Sequence, residues 1–581
     1  MRIVRLRIQQ FRGFDDATLR VGNHVTLVGE PRAGRSDIVT ALRRVLDPRS
    51  TAARVDPLDV HRPPPAPSND QTPLLTEVEV SLVALGSELE QLFDPRLEAI
   101  DPATGEPATS ATASSSVMGI RLCYRLRYDE TTGTGEHWVD YPHLSDPTVG
   151  SFVRATRQER EALPFIALHR APPLQLRAEG LLRGLIEDAD AAGLASALAT
   201  LGSDVAASTE EFSDTPVVRE QIAEVLAAGA GLLMELTGTS PEDRFSLVTE
   251  DGSLSALLRS VQATVELDAA GSLPLSAHGS TSTGILTAAE GAASARGPES
   301  VVLVDDFGDD LDAAAAEYLA AQLRRDVGQL WLSTRRPEAV RAFRPEEVVR
   351  LTRSHGKRRQ HQLAPTTDRK QRGVRRQLQL LLLPAVTART VVLLEGPHDL
   401  EGYGAVADRR LRVSGSPPPS AYGMRLVAPP GSDGGKERLP GLAQLALDLG
   451  FNVRVVIDHD GVGRDAALLS TLQALAEVVI RLPAKSAVER ALVAGLDEKT
   501  VRDTLRWLSQ EYGLGIDAAK VVKAELNKTA AKAIKEKGGL HQPWVDALPA
   551  GSSPPIARGV LDAIIAQPPA GGGIVEIPEP P

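Results

Sequence analysis

The chain has 581 residues, enough for several domains, and its 42% hydrophobic and 24% charged content is that of a globular protein. A net charge of −12 argues against a protein that coats nucleic acid non-specifically, while leaving room for a local basic face. The single cysteine, Cys123, excludes an intramolecular disulfide and fits a reducing cytoplasm, and no apolar run is long enough to cross a bilayer.

The first residues are expected to open a strand rather than a secretory signal. Strands are predicted at 3–8, 17–19 and 25–28, the last running into a Gly-rich turn and a helix over 37–46. A Pro/Asp-rich loop (47–72) leads to a strand at 75–83, a helix near 88–92 and a Gly/Ser/Thr-rich loop at 101–116. A strand pair follows at 120–128 and 137–141. Residues 176–265 read as mainly helical and Ala/Leu-rich. Strands at 301–304 and 329–332 end in Asp305-Asp306 and Ser333-Thr334. Beyond 353 lies a basic stretch including Arg358, Arg359 and Arg372, a candidate nucleic-acid contact or a solvated linker. The segment 497–567 reads as helical, and the Pro/Gly-rich tail from Pro568 as disordered.

Two groups of residues carry chemistry. Gly29-Glu30-Pro31-Arg32-Ala33-Gly34-Arg35-Ser36 follows a strand and precedes a helix with P-loop spacing, except that Arg35 stands where Lys is expected. Its backbone N–H groups and helix N-terminus suit phosphate, and Ser36 suits Mg²⁺. The planar Arg35 fork cannot copy an ammonium's contact with β/γ-phosphates. The second group is a pair of acidic motifs at the ends of two β-branched runs: Glu395-Gly396-Pro397-His398-Asp399 and Asp458-His459-Asp460-Gly461. Carboxyl ends of parallel strands are where open α/β sheets build sites. Carboxylates gathered there repel unless a cation neutralises them, and hard oxygen ligands favour Mg²⁺ or Mn²⁺. Asp458 and Asp460 fit as ligands of one cation, Asp399 as part of a second position, and Glu395 as ligand or general acid/base. Lys436, in a Gly-rich turn, is a candidate phosphate contact. Glu401 fits no motif and is expected at the surface. With no Cys partner and no H-x-x-x-H spacing around His398 and His459, zinc is not expected.

The segment Arg5–Phe14, the P-loop and the helix after it resemble the start of ABC-type ATPases of the RecF and SMC kind. Leu275–Ser280, with Gly279 and Ser280, resembles the signature loop that reaches a partner's nucleotide; Val304-Asp305-Asp306 resembles Walker B, and Leu332–Pro337 the switch loop. Glu395-Gly396-x-x-Asp399 with Asp458-x-Asp460 resembles the two motifs of a topoisomerase–primase (TOPRIM) domain. An ABC-type ATPase followed by TOPRIM is the arrangement of OLD (overcoming lysogenization defect) family nucleases, including the nuclease subunits of Gabija-type anti-phage systems.

The resemblance implies an α/β fold: an ABC-type ATPase domain at 1–175 and 266–352, a helical dimerisation insertion at 176–265, a basic linker at 353–387, a TOPRIM domain at 388–492, a helical C-terminal region at 493–567 and a tail at 568–581. It adds Glu489 as a further metal-ligating acid. It implies ATP at Gly29, Gly34, Arg35, Ser36, Asp37, Gly279, Ser280, Asp305 and Asp306, and two Mg²⁺ or Mn²⁺ ions at the acids. It also implies DNA as substrate, a homodimer or tetramer, and a helicase-like partner protein. The chain departs from the family at Arg35, at Asp306 where a catalytic Glu is usual, at Arg335 where His is usual, and in lacking the second signature Gly. Nucleotide binding with poor hydrolysis is the expectation. The expected activity is a metal-dependent DNA endonuclease acting in anti-phage defence; the alternative is a non-catalytic sensing scaffold.

Overall fold

Alternating and continuous apolar runs sort the N-terminal strands into two kinds of sheet. In chain order these are β1 (Arg2–Phe11), β2 (Phe14–Arg20), β3 (Val25–Gly29), β4 (Leu74–Val83), β5 (Glu98–Ile100), β6 (Val117–Asp129), β7 (Thr134–Asp140) and β8 (Phe165–Leu168). Then come β9 (Phe245–Val248), β10 (Gln262–Val265), β11 (Leu273–Pro274), β12 (Val301–Phe307), β13 (Gln329–Thr334), β14 (Val348–Ser354) and β15 (Lys357–Gln362). This is a computed structural model, describing residues 1–52, 54–62, 74–110, 112–168, 174, 181–203, 215–229, 245–248, 262–266, 271–295, 299–354, 356–430, 435–459, 466–536 and 539–580. The chain divides into two units, Met1–Gln360 and His361–Pro581.

In the first unit, an antiparallel sheet runs β2-β1-β4-β6-β5, with β7 paired to β6. A second sheet runs β15-β14-β3-β13-β12-β8, and β14, β3, β13, β12 and β8 pair in parallel. Side chains alternate across its strands. Val301, Leu303 and Trp331 face the antiparallel sheet and the helix Arg35–Leu46, while Val302, Val304, Leu330 and Leu332 face a helical layer that includes Ser280–Ser294 and Ala313–Asp326. The segment expected to be helical, 176–265, holds the helices Leu181–Ser203 and Pro216–Gly229, but also β9 and β10, which pair antiparallel.

The second unit carries β16 (Thr390–Leu393), β17 (Met424–Val427), β18 (Asn452–Ile457), β19 (Val478–Arg481) and β20 (Ile574–Glu576) in a parallel sheet ordered β17-β16-β18-β19-β20. Helices cover both faces, which is why these strands are apolar throughout rather than alternating. Val392 and Val456 pack on one side with Tyr403, Leu505, Trp544 and Val560, and Val391, Val453 and Val455 on the other with Leu382, Leu442 and Leu472. Two expectations are corrected. The tail from Pro568 is not a disordered end: β20 lies along β19, and Ile577 is 6% exposed. The basic stretch is not a bare linker, since β14 and β15 enter it from the first unit and the helix Arg369–Leu382 belongs to the second. No helix among the described residues is long and apolar enough to cross a membrane.

Candidate functional site

Pairing of β16 with β18 sets two acid-ended strands side by side. The Asp458 backbone N–H donates to Glu395 Oε1 at 2.5 Å. Lys436, expected in a turn, instead lies in the first turn of the helix Gly435–Asp448. Its Nζ stands 3.4 Å from Glu395 Oε1 and donates to the Asp458 carbonyl at 3.4 Å. Gly435 passes against the Glu395 carbonyl so closely that a Cβ would collide with it. Asp399, buried in the first turn of Pro397–Ser414, accepts the Gly396 N–H at Oδ2 over 2.9 Å. Glu489 is also buried, on the short helix Val488–Ala491.

Electrostatics bind these residues into one cluster. Burial first, and then the charges of Glu395, Asp399 and Glu489, push the Asp458 carboxyl well above the usual range; Lys436 opposes them. Burial, with Glu489 adding to it, pushes Asp399 up to about 6. Burial would also raise Glu489, but contacts with His541, its own backbone and Lys535 outweigh it and hold the group low. Fully buried Tyr403 is raised by burial and then by Asp399, Asp458, Glu395 and Glu489, and its Oη has no hydrogen-bond partner among the described residues. Asp460 lies outside the described residues. The acids present have the donor chemistry of a hard divalent cation, being partly desolvated oxygen donors that repel one another, but no three of them among the described residues bring ligand atoms within 4.8 Å of one another.

In the first unit, β3 ends at Gly29 with φ +132°, its backbone against that of Leu351, and Gly34 at φ +100° caps the helix Arg35–Leu46. Both conformations suit glycine. Ser36 Oγ donates to Asp305 Oδ1 at 3.3 Å, and Ser333 Oγ to the same oxygen at 2.8 Å. Arg35 turns away from the loop: Nη1 donates to the Thr334 carbonyl at 3.0 Å, and Nη2 is 3.9 Å from Asp306 Oδ1. Asp306 has φ +48°, strained for a non-glycine residue. Arg335 pairs with Asp309 at 2.5 Å. Gly279 and Ser280 open the helix Ser280–Ser294 at an exposed N-terminus, and Thr281 Oγ1 donates to the Asp310 carbonyl at 3.2 Å.

The basic candidates separate. Arg359 is exposed on β15 and Arg372 on the helix Arg369–Leu382. Arg358 is no free nucleic-acid contact. It pairs with Asp37, lies 5.3 Å over the Phe14 ring, and packs against Gly13 and Gly34 of the P-loop region. The missed signal was β-alternation, which sets neighbouring arginines of one strand on opposite sides. A second omission is Glu401. Far from being a lone surface acid, it stands with His398 and His541, one ligand atom of each within 4.8 Å of the others. His541 lay in a helical stretch with no motif to mark it.

No protein-family model matches this chain, and no curated protein matches it. Among solved structures, an SMC head bound to the C-terminal winged-helix domain of ScpA is similar at 15% identity and TM-score 0.37, over 63% of this chain and 98% of that one. A Pyrococcus furiosus SMC head with an extended coiled coil, bound to the C-terminal domain of ScpA, is similar at 13% identity and TM-score 0.36, over 62% and 96%. The SMC head domain from Thermotoga maritima follows at 10% identity and TM-score 0.29, over 63% and 100%. Similarity at this level does not establish a family.

Proposed function

We propose that the second unit is a Mg²⁺- or Mn²⁺-dependent DNA endonuclease, and that the first binds ATP and regulates it. The observation that carries this is the meeting of Glu395 and Asp458 at the carboxyl ends of β16 and β18, with Asp399 and Glu489 on adjoining helices near enough for their charges to add to the raised proton affinity of Asp458. Glu395, Asp399 and Asp458, with Glu489, would hold the metal. A bound divalent cation would neutralise these acids and polarise a phosphodiester. Lys436 holds a positive charge against Glu395, placed for a substrate phosphate. Burial and Glu489 raise the Asp399 carboxyl, and a bound cation would favour its ionised form, leaving Glu395 as the ligand or general acid/base.

ATP binding is supported by the two left-handed glycines of the P-loop and by Ser36 facing Asp305. Poor hydrolysis is supported by Arg35 and Asp306, each engaged with the other rather than standing free for a γ-phosphate or an attacking water. The motif resemblance further supports an oligomeric nuclease acting against foreign DNA, with Arg359 and Arg372 as exposed DNA contacts and a helicase-like partner.

Supercoiled plasmid and phage DNA, incubated with Mg²⁺ or Mn²⁺ with and without ATP, test this directly. Wild type nicks or cuts, Asp458→Ala does not, and the ATP lanes show whether nucleotide gates cleavage. Cleavage unchanged in Asp458→Ala overturns the assignment.

A further inference from the structure

The helix Pro397–Ser414 that presents Asp399 to the carboxylate cluster presents a different pair from its first turn, on another face. His398 and Glu401 are three residues apart, so they share a face. The helix His541–Ala547 packs against it and brings His541 to that face. His541 is fully buried, and its ring nitrogens face Glu401 and Glu489 without a hydrogen bond of regular geometry among the described residues. A buried polar group left in that state costs about 1–3 kcal/mol, so a native fold keeps one when something else satisfies it.

The surrounding geometry indicates what that is. His541 Nδ1 stands 3.3 Å from Glu401 Oε2. That is about the ligand-to-ligand edge of a tetrahedral Zn²⁺ site with ~2.0–2.1 Å bonds. Glu401 is oriented by the Gln542 N–H, which approaches its other oxygen at 3.4 Å. The His398 and His541 rings are stacked, with centroids 4.9 Å apart. Gly539 gives an independent measure. At φ +109°, a Cβ added to it would lie 3.0 Å from His541 Nδ1, 3.1 Å from Glu401 Oε2 and 3.2 Å from His398 Nδ1. Three donor atoms thus converge on one point, and the residue facing that point has no side chain to fill it. On the far side of the ring, His541 Nε2 faces Glu489 Oε1 at 3.7 Å. A carboxylate behind a ligating imidazole is the arrangement that fixes its tautomer and raises its basicity.

We propose that His398, Glu401 and His541 form a second metal site, for a borderline divalent cation of the Zn²⁺ class, separate from the hard-cation carboxylate cluster and joined to it through Glu489. Two imidazoles and one carboxylate select such an ion over Mg²⁺, which prefers oxygen donors. The ion ties the His541 helix to the helix that carries Asp399. Its positive charge sits behind Glu489, favouring the ionised form of that acid.

The test uses full-length protein stripped with chelator and titrated with Co²⁺, a spectroscopic stand-in for Zn²⁺, with Mg²⁺ in large excess to cover the carboxylate cluster. Ligand-field absorption and metal content are read for wild type, His398→Ala, Glu401→Gln and Asp458→Asn. Wild type takes up one equivalent of Co²⁺ that Zn²⁺ displaces. His398→Ala and Glu401→Gln each weaken binding at least about tenfold. Both residues are partly exposed, so the fold tolerates the changes. Asp458→Asn retains the ion, which separates this site from the nuclease assignment. The proposal is overturned if wild type binds no stoichiometric Co²⁺ under Mg²⁺, if both ligand variants bind as wild type does, or if only Asp458→Asn loses the ion.

Discussion

Asp458 and Glu395 are joined across neighbouring parallel strands by a hydrogen bond of 2.5 Å from the backbone N–H of one to the carboxylate of the other. The contact locks the Glu395 side chain over the end of β18 and brings its charge onto the Asp458 carboxyl, which burial has already raised. Proximity of acids here is therefore a cost to the metal-free fold.

That cost is measurable. Asp458→Asn removes one of the repelling acids, so in chelator the variant is expected to melt a few degrees above wild type, each 1 kcal/mol being worth roughly 2–4 °C in a unit of this size. Adding Mg²⁺ or Mn²⁺ raises the wild-type melting temperature and leaves Asp458→Asn nearly unmoved. A variant less stable than wild type in chelator would count against the repulsion.

In the first unit, Ser36 Oγ donates to Asp305 Oδ1 at 3.3 Å, and the proposed nucleotide site would have the two share a cation. Ser36→Ala is expected to weaken Mg²⁺·ATP binding about tenfold, the loss of roughly 1.4 kcal/mol, with little change in ATP binding without Mg²⁺. Titration calorimetry with and without Mg²⁺ separates the two. Equal losses in both conditions would place the defect in the loop rather than at a cation.

Glu290 gives a pH dependence unrelated to either site. It is buried on the helix Ser280–Ser294 and accepts N–H bonds from Leu182 at 2.7 Å and Leu174 at 3.2 Å. Burial nevertheless outweighs those bonds and pushes its carboxyl up to about 7 from 4.5. The folded state thus keeps a proton that the unfolded chain has released. The stabilisation is fully present below about pH 4.5 and is lost as the pH rises through about 7, an interval worth on the order of 3 kcal/mol. Glu290→Gln keeps an acceptor but no titration. Its stability profile between about pH 5 and about pH 8 should be flatter than that of wild type, read by denaturant unfolding.

The C-terminal strand gives the sharpest structural test. The Val479 N–H donates to the Gly573 carbonyl at 3.0 Å, the Ile577 N–H to that of Arg481 at 3.0 Å, and Arg490 pairs with Glu579 at 2.9 Å. A chain ending at Gln567 should lose at least about 2 kcal/mol, the usual cost of deleting a single buried Ile side chain, and should expose the edge of β19 to aggregation. Unfolding and light scattering that match the full-length chain would show the strand to be dispensable.

The sequence by itself determined what depends on neighbours along the chain. The β-branched runs 390–393 and 452–457 had to be buried strands, acids directly after them had to lie at a sheet's carboxyl edge, and Gly29 and Gly34 had to occupy backbone conformations closed to other residues. Strand periodicity, turn chemistry and motif spacing are local, so they survive without the fold. Tertiary structure alone decided which distant residues complete each site. Lys436 reaches Glu395 because its helix starts beside β16, Arg358 reaches Asp37 because β15 returns past the P-loop, and the Pro-rich tail becomes a strand because the edge of β19 has unpaired backbone groups to offer. His541 had no motif to mark it, being far along the chain from His398 and Glu401. Only packing of two helices places it there, because the burial that drives such packing is non-directional and leaves no spacing in the sequence to read.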